Sequence, residues 1–243
     1  MFKAVGKRQL LSHAVEEEIE AAIRDGRLAV GDRLPSEMEL CEQFGVSRTV
    51  MREALRMLSA RRLVRIEKGR GIFVDTPSVA SVSAPLELYL HLNRGTGQAL
   101  DVVRARQIIE PPIAAEAARR HTAEDAERIL ANLDMLKACE RPFEKLSKLD
   151  MEFHVLIAEA THNPLMPLLI HPIQQLMPKI KTGVYYAVSD AHEAAVTWHS
   201  AIVEAILNRD PEAAHERMAR HLEIAEHHVR QLMAVEAESE VGG

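Results

Sequence analysis

The chain reads as a mainly α protein in two parts. Residues 1–75 form a winged helix-turn-helix with a small β wing, and residues 86–243 form an all-α bundle of six or seven helices. Three observations predict this. A capped helix, a glycine turn and a second capped helix run into a β-hairpin pattern between Arg33 and Val74. Helical periodicity covers almost everything after Gln98, with no strand pattern. Charge is also unevenly divided: residues 1–75 carry 14 Lys and Arg against 12 Asp and Glu, although the 243-residue chain has a net charge of −6. A chain of this length has room for two cores.

The first helix spans about Gln9 to Asp25, with Leu10, Val15, Ile19 and Ile23 on its apolar side and Gly26 stopping it. Arg27 to Leu34 then runs extended to Pro35, as a short strand able to join the wing. Ser36 is an N-cap, with Glu39 as its capping-box partner. That helix ends at Phe44-Gly45, where glycine supplies the left-handed cap. Ser47 caps the next helix. There, Val50, Met51, Ala54, Leu55 and Leu58 share one face, and Arg48, Thr49, Arg52 and Arg56 the other. Leu63–Ile66 and Ile72–Val74 read as strands around the basic tip Lys68-Gly69-Arg70-Gly71. From Phe44 to Ile72 there are eight Lys or Arg and two Glu. A solvated basic helix beside an unrelated hairpin would explain the charge, but not its coincidence with caps, amphipathicity and a wing.

These features predict double-stranded DNA as partner, because a local basic surface suffices on an acidic protein. Arg48, Thr49 and Arg52 are expected in the major groove, Ser36 and Ser47 on phosphates, and Lys68, Gly69 and Arg70 in the minor groove. The pattern RLPSE-x-x-L, FGVSR-x-x-x-REAL-x-x-L and a basic G-R-G wing resembles the winged-helix domain of GntR-type bacterial transcription regulators. The remainder is similar, more loosely, to the FadR subgroup, whose all-helical C-terminal FCD domain senses ligands. The resemblance implies a base-contacting Arg where this chain has Met38, so its operator should differ from the commonest ones.

Thr76–Pro85 is small, Ser-rich, uncharged and bracketed by prolines, and reads as the interdomain linker. Leu86–Asn93 reads as a short helix leading to Arg94-Gly95-Thr96-Gly97. Further helices are expected at about 98–120, 122–139, 142–161, 164–187, 190–208 and 210–236. Pro111-Pro112 should kink the first, and Pro167, Pro172 and Pro178 should break the fourth. Thr122 caps the second with Asp125. Asp210-Pro211 opens the last. Cys41 and Cys139, with no signal peptide, read as reduced cytosolic thiols. No run of about 18 apolar residues suggests a membrane span.

Chemistry concentrates in the second part. Asp150 and His154 are four apart and share a helix face that Phe153, Ile157 and Ala158 direct inward. His199 lies among Val196, Ile202, Val203 and Ile206, and His221 among Met218, Leu222 and Ala225. A lone core histidine is usually a packing residue, whereas three with a carboxylate ask for a shared reason. Periodicity does not show that they meet. The FadR resemblance implies that they do, as the Asp-x3-His pair and two later histidines that hold a divalent cation. Three imidazoles and a carboxylate suit one Zn per chain, or Ni or Mn. His192 is the substitute ligand, and His227 and His228 should be exposed. Arg104 and Arg106 could be surface salt-bridging residues. The resemblance implies that Arg106, four before Glu110, reaches the sensor cavity, where an arginine would clamp a small carboxylate effector.

Taken together, the expectation is a cytosolic, homodimeric regulator, most simply a repressor of a catabolic operon that senses a sugar acid or hydroxy acid. A DNA-tethered metal-dependent hydrolase is the alternative, though no general base beyond the ligands is evident. A purely architectural DNA binder would leave buried polar residues in a sensor-sized domain unexplained.

Overall fold

The computed structural model describes residues 10–76, 78–92 and 98–241 and divides into two compact units at Val82/Ser83. In the first unit, α1 (Leu11–Arg24), α2 (Glu37–Phe44) and α3 (Arg48–Ala60) precede an antiparallel hairpin of β1 (Val64–Glu67) and β2 (Gly71–Val74), paired Val64 to Val74 and Glu67 to Gly71. Ser36 and Glu39 close a reciprocal capping box on α2, and Ser47 accepts the Val50 N–H to cap α3. Between them Gly45 takes the left-handed φ of 64° that ends α2. The extended approach to Pro35 joins the wing: the Leu34 N–H donates to Ile72 O, and Arg33 bridges Phe73. At Gly71, φ is 125°, a conformation that L side chains rarely adopt, and the Arg33 side chain passes close by, 2.9 Å from where a Cβ would lie. Val15, Ile19, Leu40, Met51, Leu55, Leu58, Val64 and Val74 close the core.

α4 runs from Val79 to Leu92 with Pro85 inside it. The stretch Thr76–Pro85, read as a linker without helical period, is therefore helical from Val79, and the helix read at Leu86–Asn93 falls on its second half. Small residues such as Ala and Ser carry too little apolar contrast to show a helical period. Asn93 to Gly97 lie outside the described residues.

The second unit is a bundle of α5 (Gln98–Arg120), α6 (Ala123–Ala138), α7 (Phe143–Glu159), α8 (Leu165–Gln174), α9 (Met177–Ala187), α10 (Ala191–Leu207) and α11 (Pro211–Val241). α5 continues through Pro111 and Pro112, whereas the expected 164–187 helix is split between α8 and α9. Pro178 falls in the first turn of α9, where its missing N–H costs no hydrogen bond.

Two apolar clusters fill the bundle. One gathers Ile113, Ile129, Phe153, Ile157, Ile202, Ile206 and Leu222; the other gathers Val103, Leu136, Leu146, Leu149, Met177, Val184 and Val229. Along α5 and α7, the polar residues Arg106, Glu110, Asp150 and His154 occupy the boundary between them.

Thr122 and Asp125 form the capping box of α6, and Asp125 Oδ2 also lies 2.7 Å from His162 Nε2. Partial burial would raise the Asp125 pKa, but the bonds from Thr122 and His162 outweigh it and hold it low. Thr122→Ala should destabilise the protein by about 1 kcal/mol in urea unfolding at neutral pH. Because the folded pKa is depressed, the contribution of Asp125 is present above its unfolded pKa, about 4. The gap between wild type and Asp125→Ala should therefore close as pH falls below that value.

Candidate functional site

The four residues expected to meet do come together. α7 brings Asp150 and His154, α10 brings His199 and α11 brings His221, all buried. One ring nitrogen from each histidine lies within 4.8 Å of the others. Asp150 Oδ1 is 3.7 Å from His154 Nε2 and 3.9 Å from His199 Nε2. The Phe153 ring stacks on His199 at 3.9 Å between centroids and fixes its plane.

Arg106 joins this cluster from α5 and is completely buried. Its Nε donates to Glu110 Oε1 at 2.7 Å, one helical turn on, and its Nη2 donates to His154 Nε2 at 2.8 Å. Glu110 also accepts from Gln174 Nε2 at 3.0 Å, and its Oε2 lies 2.7 Å from His154 Nδ1. Arg104 is not brought here. It is exposed and 3.7 Å from Asp101, because two residues along a helix turn a side chain to the far side.

Sequence reasoning missed two members. On α9, Lys181 Nζ lies 2.7 Å from Asp150 Oδ2, and the Tyr185 hydroxyl donates to the same oxygen. Lys181 and Tyr185 are four apart, so helical spacing would have paired them once the break after Pro172 was located. His192 is not a ligand: its Nε2 lies 3.0 Å from Leu136 O. His228, expected exposed, is buried beside Lys181 and Ala225, because α11 turns that face toward α9.

The electrostatics follow from burial. Burial acts to raise the Asp150 pKa, but the Lys181 ammonium, with His154 beside it, holds it well below the usual carboxylate range. The same contest at Glu110, won by Arg106 and His154, brings its pKa down to about 2. Burial pushes the pKa of His199 and His221 well down, with neighbouring positive charge adding to it. Both rings are thus neutral at physiological pH, the form that donates a lone pair.

Hydrogen-bond accounting is what distinguishes this cluster from a packed polar core. Asp150 Oδ1, both nitrogens of His199, His221 Nε2 and Arg106 Nη1 are buried without a hydrogen-bond partner. Buried polar atoms are nearly always paired. Three buried imidazoles that each bring a ring nitrogen within 4.8 Å of the others are a donor set able to hold a divalent ion.

In the first unit, Ser47, Arg48 and Thr49 are exposed at the start of α3, and Lys68, Gly69 and Arg70 at the tip of the wing. Arg52 Nε contacts both oxygens of Glu37, at 2.9 and 3.0 Å, and Arg70 pairs with Glu67 at 2.7 Å. Met38 is 56% exposed on α2, where it is free to meet a partner.

Residues 101–224 match the FCD domain, and residues 11–74 match the bacterial regulatory proteins of the gntR family. The chain belongs to the GntR family, with a C-terminal FCD domain.

This GntR chain is 31% identical to the HTH-type transcriptional repressor NanR of Cronobacter sakazakii, over 90% of its own length and 87% of that protein's. It is 28% identical to the galactonate operon transcriptional repressor of Escherichia coli, over 78% and 83%. Among solved structures, a GntR protein of Streptococcus agalactiae superposes with a TM-score of 0.65 and 26% identity, covering 89% of this chain and 99% of that one. These are transcriptional regulators, not enzymes, so the metal-hydrolase alternative falls. No helix among the described residues is long and apolar enough to cross a membrane.

Removing one member of a buried ion pair leaves the other charge unpaired. Glu110→Ala should therefore destabilise the protein by ~3–5 kcal/mol in denaturant unfolding.

Proposed function

We propose that this GntR regulator is a cytosolic repressor of a catabolic operon. It binds double-stranded operator DNA as a homodimer and responds to a small organic carboxylate held at one divalent metal ion per chain. The observation that carries the reading is the set of buried, unpartnered donor atoms on Asp150, His199 and His221 inside an FCD domain. Asp150, His154, His199 and His221 would hold the ion, with Zn first and Ni or Mn also compatible. When bound, it supplies a Lewis-acidic centre for a carboxylate oxygen.

Arg106 supports the same reading. An imidazole nitrogen has one lone pair, so His154 Nε2 cannot both accept from Arg106 and ligate. Arg106 would release that bond, and Nη1, already without a partner, would meet the effector carboxylate. A sugar acid or hydroxy acid is the favoured class, since galactonate is named for one relative. Because the ligands sit on α7, α10 and α11, binding can shift these helices and so bias DNA affinity. Such coupling is typically ~1–3 kcal/mol.

On the DNA side, Arg48, Thr49 and Arg52 would read the major groove, Ser36 and Ser47 would meet phosphates, and Lys68, Gly69 and Arg70 would enter the minor groove. Glu37 holds Arg52 through Nε alone, which leaves its terminal nitrogens for a guanine edge. Two such units are needed to read a palindrome, hence the dimer.

Arg52→Ala should cost ~1–3 kcal/mol of operator affinity at fixed salt and relax preference at one base position. Unchanged affinity and preference would rule Arg52 out as a base reader. His199→Ala should lose the metal, by elemental analysis, and with it the effector response, while operator binding persists. Arg106→Ala leaves Glu110 buried without its cation and so lowers stability, and the folded variant should keep the metal and lose effector affinity. Wild-type protein purified without chelators that carries no stoichiometric metal, and gains no thermal stability from added metal, would refute the metal reading.

A further inference from the structure

We infer that Lys181 and Tyr185 of α9 are positioning residues that hold Asp150 in a one-oxygen binding mode, keeping a coordination position open for the effector. The inference rests on the metal reading above. Its physical basis is the asymmetry between the two oxygens of one buried carboxylate. Asp150 Oδ2 accepts from both the Tyr185 hydroxyl and the Lys181 ammonium, the latter at 2.7 Å. Two donors occupy its two lone pairs. Oδ1, equally buried, has no donor and lies 3.7 and 3.9 Å from the Nε2 atoms of His154 and His199.

A carboxylate buried only for packing would have donors spread over both oxygens, because each ionised oxygen left bare is costly. Here α9 saturates one and leaves the other facing the histidines. The two donors are one helical turn apart, so a single helix face delivers both. Tyr185 is suited to this role: burial, and then the Asp150 charge, keep its hydroxyl protonated and able to donate.

The consequence concerns the number of open positions. A carboxylate free to rotate could close on an ion with both oxygens and take a place that an organic ligand needs. With Oδ2 engaged, only Oδ1 is offered. Lys181 stands where this arrangement nears the surface. Together with His221 and His228 it lines a narrow cleft between α9, α10 and α11. Outer residues that orient a metal ligand typically change metal affinity 10–100-fold when removed.

The test is a double-mutant cycle on the full chain, with Co²⁺ as the probe and visible absorption as the readout. Tyr185→Phe removes one hydroxyl and no charge, and should weaken Co²⁺ binding by about 10–100-fold. In an Asp150→Ala background, which removes the accepting oxygen altogether, the same change should alter the affinity by no more than about twofold. Circular dichroism of the metal-free variants checks that the helices persist. Unchanged Co²⁺ affinity in Tyr185→Phe, or an equal loss in both backgrounds, would overturn the positioning role while leaving the metal site standing. A wild-type chain that takes up no Co²⁺ would remove the metal site and this inference together.

Discussion

The FCD bundle is organised around one costly interaction, the buried ion pair of Arg106 and Glu110. A guanidinium with no exposed surface must be neutralised and hydrogen-bonded, and Glu110, one turn further along α5, does both. The pair then recruits neighbours: Gln174 from α8 donates to Glu110, and His154 from α7 accepts from Arg106. Three helices are thereby held in register by polar contacts, and the two apolar clusters pack on either side. Replacing such a pair with apolar side chains commonly leaves a protein as stable or more so. A polar centre of this kind makes most sense as a binding device.

The unsatisfied atoms give that device a direction. Buried polar atoms are nearly always paired, whereas Asp150 Oδ1, both nitrogens of His199 and Nε2 of His221 are buried without a partner in one cluster. Burial keeps the imidazoles of His199 and His221 neutral, while Lys181 and Arg106 keep Asp150 and Glu110 ionised. The components of the site sit on three separate helices, α7, α10 and α11. A ligand acts on such an arrangement only through its differential affinity for the alternatives.

The DNA-reading unit uses simpler means. Two side-chain caps and a left-handed glycine set the turn between α2 and α3, and a small apolar core anchors the inner face of α3. The outer face is then left to exposed cations. Glu37 steadies Arg52, and Arg33 passes close to Gly71 at the root of the wing. Neither contact concerns stability so much as where a long basic side chain points.

Local features of this chain were legible in its residues, because they depend on neighbours a few positions apart. Caps at Ser36, Ser47 and Thr122, the glycine stop at Gly45, the wing and most helix spans follow from such short-range chemistry. So does the choice of Asp150, His154, His199 and His221 as inward-facing polar residues. Their meeting point belongs to tertiary structure, since periodicity places a side chain on a face without saying what that face meets. The same limit hid Lys181 and Tyr185, whose helix is interrupted by prolines, and it left Arg104 and Arg106 undivided until α5 had a buried side. It also misplaced His228, which α11 turns inward, and concealed the helix at Val79, where small side chains carry no periodic signal. Which oxygen of Asp150 is engaged and which is left bare was decided only by packing, because that distinction depends on how α9, whose Tyr185 lies 35 residues beyond Asp150 in sequence, docks against α7.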